Sequence, residues 1–205
     1  MSVLPPFLSL TAVQNERPLS HIPSINMPVS EKGRFMKKRA IVVVDLQNDY
    51  WPSGKWPLVG IEEAAANASK VIEKARSEGD IVIHVRHEFP NPDAPFFVPG
   101  TDGVEISPVV RPVGAEAVIL KNYPNSFRET ELKQMLDERG VKEVVVVGAM
   151  SHMCIAATAR AAADFGYNTL VVQDACATRD LEFNEVTVPA AQVHAANMSA
   201  LAFAY

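Results

Sequence analysis

The stretch VVGAMSHMC, which runs from Val146 to Cys154, joins two segments of different character. Before it stand the valines that begin at Val144, a β-branched run typical of a strand buried on both faces. After it comes IAATARAAADFG, an alanine-rich segment typical of a helix that ends at Gly166. A strand that passes directly into a helix predicts an α/β fold, and it places Cys154 in the first turn of that helix.

The rest of the chain repeats this alternation of strand-like and helix-like segments. Strands are predicted over residues 40–44, 81–85, 117–120, 143–147 and 169–173, and helices over residues 61–78, 127–139, 154–165 and 189–202. This order predicts a three-layer α/β/α domain with a doubly wound, mostly parallel, Rossmann-like sheet. The first strand is followed by Asp45 and not by a glycine-rich turn, which excludes a dinucleotide-binding motif.

Two regions stand apart from this pattern. Residues 1–37 contain many prolines and show neither helical nor strand periodicity, which predicts a flexible or partner-wrapped N-terminal extension before a folded domain at residues 38–205. The connection between His87 and Glu116 is far longer than the roughly 2–6 residues usual in α/β folds. It is predicted to form a lid, a binding wall or an oligomer arm.

Composition narrows the class of protein. The 205 residues carry a formal net charge of −5 and no extended basic cluster, so nucleic acid is not an expected partner. No apolar run has membrane-spanning length, so no membrane association is expected. The two cysteines, Cys154 and Cys176, do not make a disulfide framework, which predicts a cytoplasmic protein. Cys176 is predicted to be structural.

Four chemically capable side chains fall at the ends of predicted strands: Asp45, His87, Lys121 and Cys154. In open α/β sheets the ligand crevice lies outside the carboxyl ends of the strands, so these groups are expected to meet at one edge. A helix N-terminus and a nearby ammonium would favour the thiolate of Cys154, and the carboxylate of Asp45 could take its proton. The sequence therefore predicts a nucleophile, a base and a cation at one site.

Each of these residues also has an alternative role. Asp45 could hold backbone donors in the loop after its strand, Lys121 could be a solvated turn residue, and Cys154 could pack in the core. Further side chains near the same edge are candidates for the walls of a substrate pocket or for packing between subunits: Trp51, His87, Phe89, Tyr123, Phe127 and His152. An anionic substrate group could meet Arg86 or Arg160.

Three motifs give the chain a resemblance to the isochorismatase-like cysteine hydrolases, the superfamily that includes nicotinamidases and N-carbamoylsarcosine amidase. They are VDLQNDY at residues 44–50, LKNYPNSF at residues 120–127 and GAMSHMC at residues 148–154. The motifs occur in the order and spacing of that family, and the resemblance covers roughly residues 38–205. It implies an isochorismatase-like hydrolase fold.

The resemblance also implies roles for individual residues. The catalytic triad would be Asp45, Lys121 and Cys154, and a cis peptide bond would join Ala149 to Met150. The backbone N–H groups of Met150 and Cys154 would form an oxyanion hole. The turn between strand and helix would then aim one sulfur and two backbone donors at the same carbonyl.

The metal site of the nicotinamidases is the point at which this sequence departs from its relatives. Those enzymes hold a divalent metal with an Asp-x-His element after the second strand and a further histidine. The matching stretch here is Val85-Arg86-His87, and no histidine lies between His87 and Lys121. One ligand of three is too few for a defined site, so no catalytic metal is predicted and nicotinamide is not the expected substrate.

The favoured interpretation is a cofactor-free cysteine hydrolase that cleaves a C–N bond of a small amide, imide or carbamoyl compound through a thioester. One alternative is isochorismatase-type vinyl-ether hydrolysis, which need not use the thiol. Another is a non-hydrolytic thiol redox or binding protein, although the sequence has no Cys-x-x-Cys motif. By analogy with the family we expect a homo-oligomer, a dimer or tetramer, whose ligand is a small-molecule substrate.

Overall fold

A computed structural model of the chain describes residues 38–205. The predicted extension at residues 1–37 lies outside the described residues. The strands are β1 (Arg39–Val44), β2 (Ile81–His87), β3 (Ala117–Lys121), β4 (Glu143–Ala149), β5 (Asn168–Ala177), β6 (Leu181–Phe183) and β7 (Val186–Val188). The helices are α1 (Ile61–Glu78), α2 (Leu132–Glu138), α3 (Ala156–Asp164) and α4 (Ala190–Ala204).

The five long strands form one sheet in the order β3-β2-β1-β4-β5, and every pair is parallel. The order reverses at β1, so later strands are added on both sides of the first. This is the doubly wound parallel sheet that the sequence predicts, and the predicted α/β fold is confirmed. The reversal places the crevice at the carboxyl ends of β1 and β4.

The sheet is covered on both faces, which explains the continuous apolar run of β1. Ile41 and Val43 pack in a core cluster with α1, whereas Val42 and Val44 pack in a second cluster with α2 and the start of α3. Successive side chains of a strand point to opposite faces, so a strand with helices on both sides must be apolar throughout. The two core clusters pack the sheet on both faces and so hold the carboxyl ends of its strands in place.

The helix predicted over residues 127–139 is wrong at its start, because the structure begins α2 only at Leu132. The preceding side chains make local bonds of their own. Asn125 accepts a hydrogen bond from the Phe127 N–H at 2.9 Å, and the Ser126 hydroxyl lies 2.8 Å from the Thr158 hydroxyl. Side chains that bond backbone or distant groups in this way offer an alternative to the helical first turn.

The last part of the chain holds an element that the sequence pattern did not predict. Strands β6 and β7 pair as an antiparallel hairpin between β5 and α4. Helix α4 follows, as predicted. None of the helices in residues 38–205 is both long and apolar enough to cross a membrane.

The long connection after β2 lies against the carboxyl edge of the sheet. The Gln47 side chain donates to the carbonyls of His87 and Val104 at 2.8 Å each, and accepts from the His87 N–H at 2.8 Å. The buried Asp49 carboxylate accepts from the Phe97 N–H at 2.7 Å. Of the three predicted roles, these bonds fit a fixed wall beside the site.

Candidate active site

The four side chains predicted at the strand ends meet in one buried cluster. Asp45, His87, Lys121 and Cys154 follow or close β1 to β4, and all four are at most 5% exposed. Asp45 takes a left-handed backbone conformation with φ of 53°, and its N–H donates to the Val85 carbonyl at 3.0 Å. The parallel register therefore brings groups that are distant in the chain to one point.

The Lys121 ammonium is the centre of this cluster. Its Nζ lies 2.7 Å from Asp45 Oδ2, 2.7 Å from His87 Nδ1 and 3.3 Å from Cys154 Sγ. Burial alone would lower the pKa of Lys121, but the negative charge of Asp45 and the hydrogen bonds to Asp45 and Cys154 raise it above its usual value. Lys121 is therefore a charged ammonium inside the protein.

The surroundings of Cys154 raise the pKa of its thiol, whereas the sequence predicts a lowered pKa. Burial raises the pKa of Cys154, the charge and hydrogen bond of Asp45 raise it further, and Lys121 lowers it only in part. The expectation of a resting thiolate is wrong, because the helix end and the ammonium do not outweigh burial and a neighbouring carboxylate. Cys154 rests as a thiol beside a base.

His87 is a neutral imidazole in this cluster. Burial and the positive charge of Lys121 lower the pKa of His87 to about 4, although Asp45 acts in the other direction. Its ring contacts Phe89, with ring centroids 4.6 Å apart. Two atoms of the cluster, Asp45 Oδ1 and His87 Nε2, are buried without a hydrogen-bond partner in the part of the chain that the structure describes.

Hydrogen bonds to β5 and α4 fix the turn that carries Cys154. The peptide bond between Ala149 and Met150 is cis, and a single helical turn follows from Ser151 to Ile155. The Ser151 hydroxyl lies 3.2 Å from the Ala177 carbonyl and 2.8 Å from His194 Nδ1. These bonds tie the turn to β5 and α4.

A chain of aromatic contacts leads from His87 toward the surface. Phe89 packs edge-on against Phe96 at 5.2 Å between centroids, and Phe96 stacks on Trp56 at 4.8 Å. The Arg179 guanidinium lies over the Trp56 ring, 4.1 Å from its centroid. We call these four residues, Phe89, Phe96, Trp56 and Arg179, the aromatic wall.

The remaining pocket candidates lie in different places. Phe89 lies in the aromatic wall, and His152 is half-buried with its Nδ1 2.7 Å from the Thr178 hydroxyl. Trp51 lines a separate surface cavity of about 810 Å³ between residues 48–55 and 101–109. Tyr123 lies under the Arg128 guanidinium, 3.7 Å from its ring centroid.

Phe127 lies in the buried core cluster that also contains Cys154. Its buried ring packs against Phe165 at 5.2 Å and Tyr167 at 6.3 Å between centroids, in the layer that holds α2 and α3. These contacts give Phe127 a packing role in the core, and its place beside a substrate stays a prediction.

The two arginines that the sequence analysis names for an anionic group differ in their partners. Arg86 forms ion pairs with Glu88 and Glu105, so its guanidinium is already paired with carboxylates. Arg160 lies over the ring of Tyr205, 5.6 Å from its centroid, and forms no ion pair within residues 38–205. Trp56 and Arg179 were not among the predicted residues, although Arg179 could have been found because it follows β5 at the same sheet edge.

The residues present do not fit a divalent metal. Asp45, His87 and Cys154 each place a donor atom within 4.8 Å of the others, which is the spacing of a metal-ligand group. However, the Lys121 ammonium lies within hydrogen-bonding distance of all three. A second cation among the same atoms would meet the ammonium at close range in a buried site, where like charges repel strongly.

The five-stranded parallel sheet with helices on both faces is the fold of the isochorismatase-like α/β proteins. The Isochorismatase domain model matches residues 39–201, and the chain belongs to the isochorismatase family of hydrolases.

Comparison with known proteins gives the same family. The chain is 51% identical over 162 residues to the isochorismatase family protein YddQ of Bacillus subtilis, a match that covers 79% of this chain and 90% of YddQ. It is 55% identical to an isochorismatase hydrolase of Oleispira antarctica of known structure, with a TM-score of 0.80 and coverage of 83% and 91%. N-carbamoylsarcosine amidase from Thermoplasma acidophilum is 32% identical, with a TM-score of 0.64 and coverage of 69% and 85%.

Proposed function

We propose that the protein is a cysteine hydrolase that cleaves the C–N bond of a small amide, imide or carbamoyl compound. The observation that carries this proposal is the buried Lys121 ammonium, which contacts both the Asp45 carboxylate and the Cys154 sulfur. A nucleophile, a base and an orienting cation within hydrogen-bonding reach are the parts that covalent acyl transfer needs.

The proposed reaction begins with the neutral thiol. Asp45 takes the proton of Cys154 as the sulfur attacks the carbonyl carbon, and Lys121 stabilises the sulfur and the carboxylate during the transfer. The N–H groups of Met150 and Cys154 hold the oxyanion, and each donor contributes roughly 3–4 kcal/mol to such an intermediate.

The second half of the reaction restores the enzyme. Asp45 returns its proton to the leaving nitrogen as the C–N bond breaks, which leaves an acyl group on sulfur as a thioester. Asp45 then removes a proton from water as the water oxygen attacks the thioester carbon. The carboxylic acid leaves, and the sulfur regains a proton.

The surroundings of the cluster indicate which substrates fit. The reacting atoms are buried, and the contacts of the aromatic wall begin at the His87 ring, which favours a small compound with a flat or apolar part. Arg179 forms no ion pair with any carboxylate of residues 38–205, so its charge favours an amide that also bears an acidic group. We therefore expect acidic amides to be better substrates than their neutral analogues.

The direct test is ammonia or amine release from a panel of small amides, each paired with its acidic analogue. Cys154→Ala should abolish turnover of any amide that the wild type hydrolyses, because no thioester can form. Cys176→Ala is the matched control, since Cys176 is the other buried cysteine and lies outside the cluster. Mass spectrometry should find an acyl adduct on the peptide that contains Cys154.

Two outcomes would contradict the proposal. Full amide hydrolysis by Cys154→Ala would exclude the thiol as nucleophile. Vinyl-ether hydrolysis that survives Cys154→Ala but not Asp45→Asn would instead show an acid-catalysed isochorismatase-type reaction.

A further inference from the structure

The inference starts from the number of protons on Lys121. An ammonium carries three N–H donors and no acceptor. Three acceptors lie within reach, namely Asp45 Oδ2 at 2.7 Å, His87 Nδ1 at 2.7 Å and Cys154 Sγ at 3.3 Å. Each proton of the ammonium therefore has its own acceptor. The acceptor that His87 supplies is a ring nitrogen of a neutral imidazole.

This contact fixes the tautomer of His87. A neutral imidazole has one N–H and one nitrogen with a free lone pair, and only the latter accepts a hydrogen bond. Because Nδ1 faces the Lys121 ammonium, the ring proton must be on Nε2. The pKa of His87, lowered to about 4 by burial and by Lys121, agrees with a ring that stays neutral near pH 7.

The structure also holds the ring in place. The backbone of His87 is bound on both sides by the Gln47 amide, through the carbonyl and the N–H at 2.8 Å each. The ring also packs against two aromatic rings in tilted arrangements, Phe89 at 4.6 Å and Phe97 at 6.0 Å between centroids. Nδ1 thus points at Lys121 from a fixed direction, and such fixed partners are what orient a reacting group.

The same tautomer excludes His87 as a metal ligand. A metal on Nε2 needs the lone pair of that nitrogen, so the ring proton would move to Nδ1 and face the N–H groups of Lys121. A metal on Nδ1 would displace Lys121 itself. The ammonium and a metal therefore compete for one imidazole.

We propose that His87 is a positioning residue that holds the Lys121 ammonium between Asp45 and Cys154 through its Nδ1 lone pair, in a role that replaces metal binding. The proposal rests on the proposed function, because it assumes that Lys121 acts on Cys154. The Nε2–H of His87 is then a buried donor with no acceptor in the described part of the chain. A bound substrate or water can use that donor.

The tautomer can be measured directly in the full-length protein. Histidine labelled with ¹⁵N gives ring nitrogen signals that distinguish the Nε2–H tautomer, the Nδ1–H tautomer and the imidazolium, and the spectrum of His87→Gln assigns the signals of His87. We expect the Nε2–H tautomer at about pH 7, unchanged when one equivalent of Zn²⁺ is added. An Nδ1–H tautomer, an imidazolium, or a shift of the His87 signals on Zn²⁺ binding would overturn the proposal.

Two matched variants separate the two ring nitrogens. The amide oxygen of His87→Asn lies near the position of Nδ1 and can accept from Lys121, whereas the amide of His87→Gln reaches the position of Nε2. The readout is the rate constant of Cys154 alkylation by iodoacetamide at about pH 8, in a Cys176→Ala background that leaves one cysteine. This readout needs no knowledge of the substrate.

We expect His87→Asn to keep the alkylation rate within about threefold of the background protein. His87→Gln should lower the rate about tenfold, since a rise of one unit in the thiol pKa reduces the thiolate fraction tenfold. Equal rates in the two variants would overturn the role of His87 in holding Lys121. If His87→Gln folds poorly, the spectrum of His87→Asn assigns the His87 signals instead, so the ¹⁵N measurement on the wild type still decides the tautomer.

The failure of this proposal can be told apart from the failure of the proposed function. Equal alkylation rates, together with amide hydrolysis that depends on Cys154, would reject only the role of His87. The expected alkylation rates, together with amide hydrolysis that survives Cys154→Ala, would reject only the proposed function.

Discussion

Asp45 and Lys121 form an ion pair from which solvent is excluded, because both side chains are fully buried. Removing two charges from water costs several kcal/mol per ion, so such a pair persists only where each charge keeps a partner. Here Lys121 has two further acceptors besides Asp45, namely His87 and Cys154. The stability of each buried charge, on Asp45 and on Lys121, therefore depends on the presence of the other.

A double-mutant cycle on this pair tests that dependence. Asp45→Asn or Lys121→Met alone should lower the free energy of unfolding by about 3–5 kcal/mol, because each leaves a buried charge without its partner. The double variant should lose less than the sum, with a coupling of a few kcal/mol measured by urea denaturation.

The exposed ion pair of Lys133 and Asp137 on α2 is the control for this cycle. Solvated pairs four residues apart on a helix contribute about 0.3–0.5 kcal/mol. If the buried pair showed a coupling no larger than this, the cluster would not depend on its central charge.

For single residues, the sequence predicts where the site residues lie better than it predicts whether they are protonated. The strand-end rule indicated Asp45, Lys121 and Cys154, because parallel strands deliver their last residues to one edge whatever lies between them. The protonation of Cys154 could not be predicted in this way. It depends on how deeply the sulfur is buried and on its distance from Asp45, and neither quantity is written in the local sequence.

At the scale of the elements, the contact between β1 and β4 decides how close Asp45 and Cys154 can come. Gly148 pairs with Val44 and has a φ of +129°, and a Cβ at this position would lie 1.9 Å from the Val44 carbonyl oxygen. Only glycine combines this backbone conformation with so close an approach. The approach sets the spacing between Asp45, which follows Val44, and the turn that carries Cys154.

Gly148→Ala should therefore lower the free energy of unfolding by more than about 3 kcal/mol, because both the backbone angle and the overlap oppose the methyl group. Gly166→Ala is the control: Gly166 also has a positive φ, but its added Cβ would meet nothing within 4 Å. It should lose about 1–2 kcal/mol. Equal losses in urea denaturation would show that the approach of β4 to β1 is not constrained.

The elements themselves were predictable where one signal dominated. The β-branched runs of β1 and β4 and the terminal glycine of α1 identify those segments, because burial on both faces and the left-handed cap at Gly79 leave few alternatives. The start of α2 and the β6–β7 hairpin were missed. Their positions depend on contacts with distant groups, such as the bond from Ser126 to Thr158, and on turns at Asn184 and Glu185 that lack glycine.

For the molecule as a whole, acid should weaken the fold through its buried histidines. The pKa of His87 is about 4 in the folded protein and about 6.5 in an unfolded chain, so the unfolded state binds more protons between these values. The free energy of unfolding should be insensitive to His87 above about pH 6.5. As the pH falls from about 6.5 to 4, it should decrease by about 3 kcal/mol on account of this residue.

Urea denaturation at several pH values checks this prediction. His84, His152 and His194 also have lowered pKa values, because burial opposes their charge, so the wild type should lose more stability than His87 alone explains. His87→Gln should remove its own share of the slope. Identical slopes in the variant and the wild type would mean that His87 is not held neutral.

Helix α4 and the β6–β7 hairpin expose apolar side chains. Helix α4 contains no charged residue, and Phe203 on it is 92% exposed. Phe183 and Val186 on the hairpin are also exposed. Single exposed apolar residues are common on protein surfaces, so the homo-oligomer stays a prediction.

The aromatic wall places a tryptophan where its fluorescence can report ligand binding. The chain has two indoles, Trp51 and Trp56, and Trp56 is the one that stacks on Phe96 and lies under the Arg179 guanidinium. Trp51→Phe would therefore leave one fluorophore, the indole of Trp56, in contact with the guanidinium of Arg179. A compound that displaced Arg179 would change the emission wavelength or intensity of Trp56. Stopped-flow fluorescence could therefore follow binding before the C–N bond is cleaved.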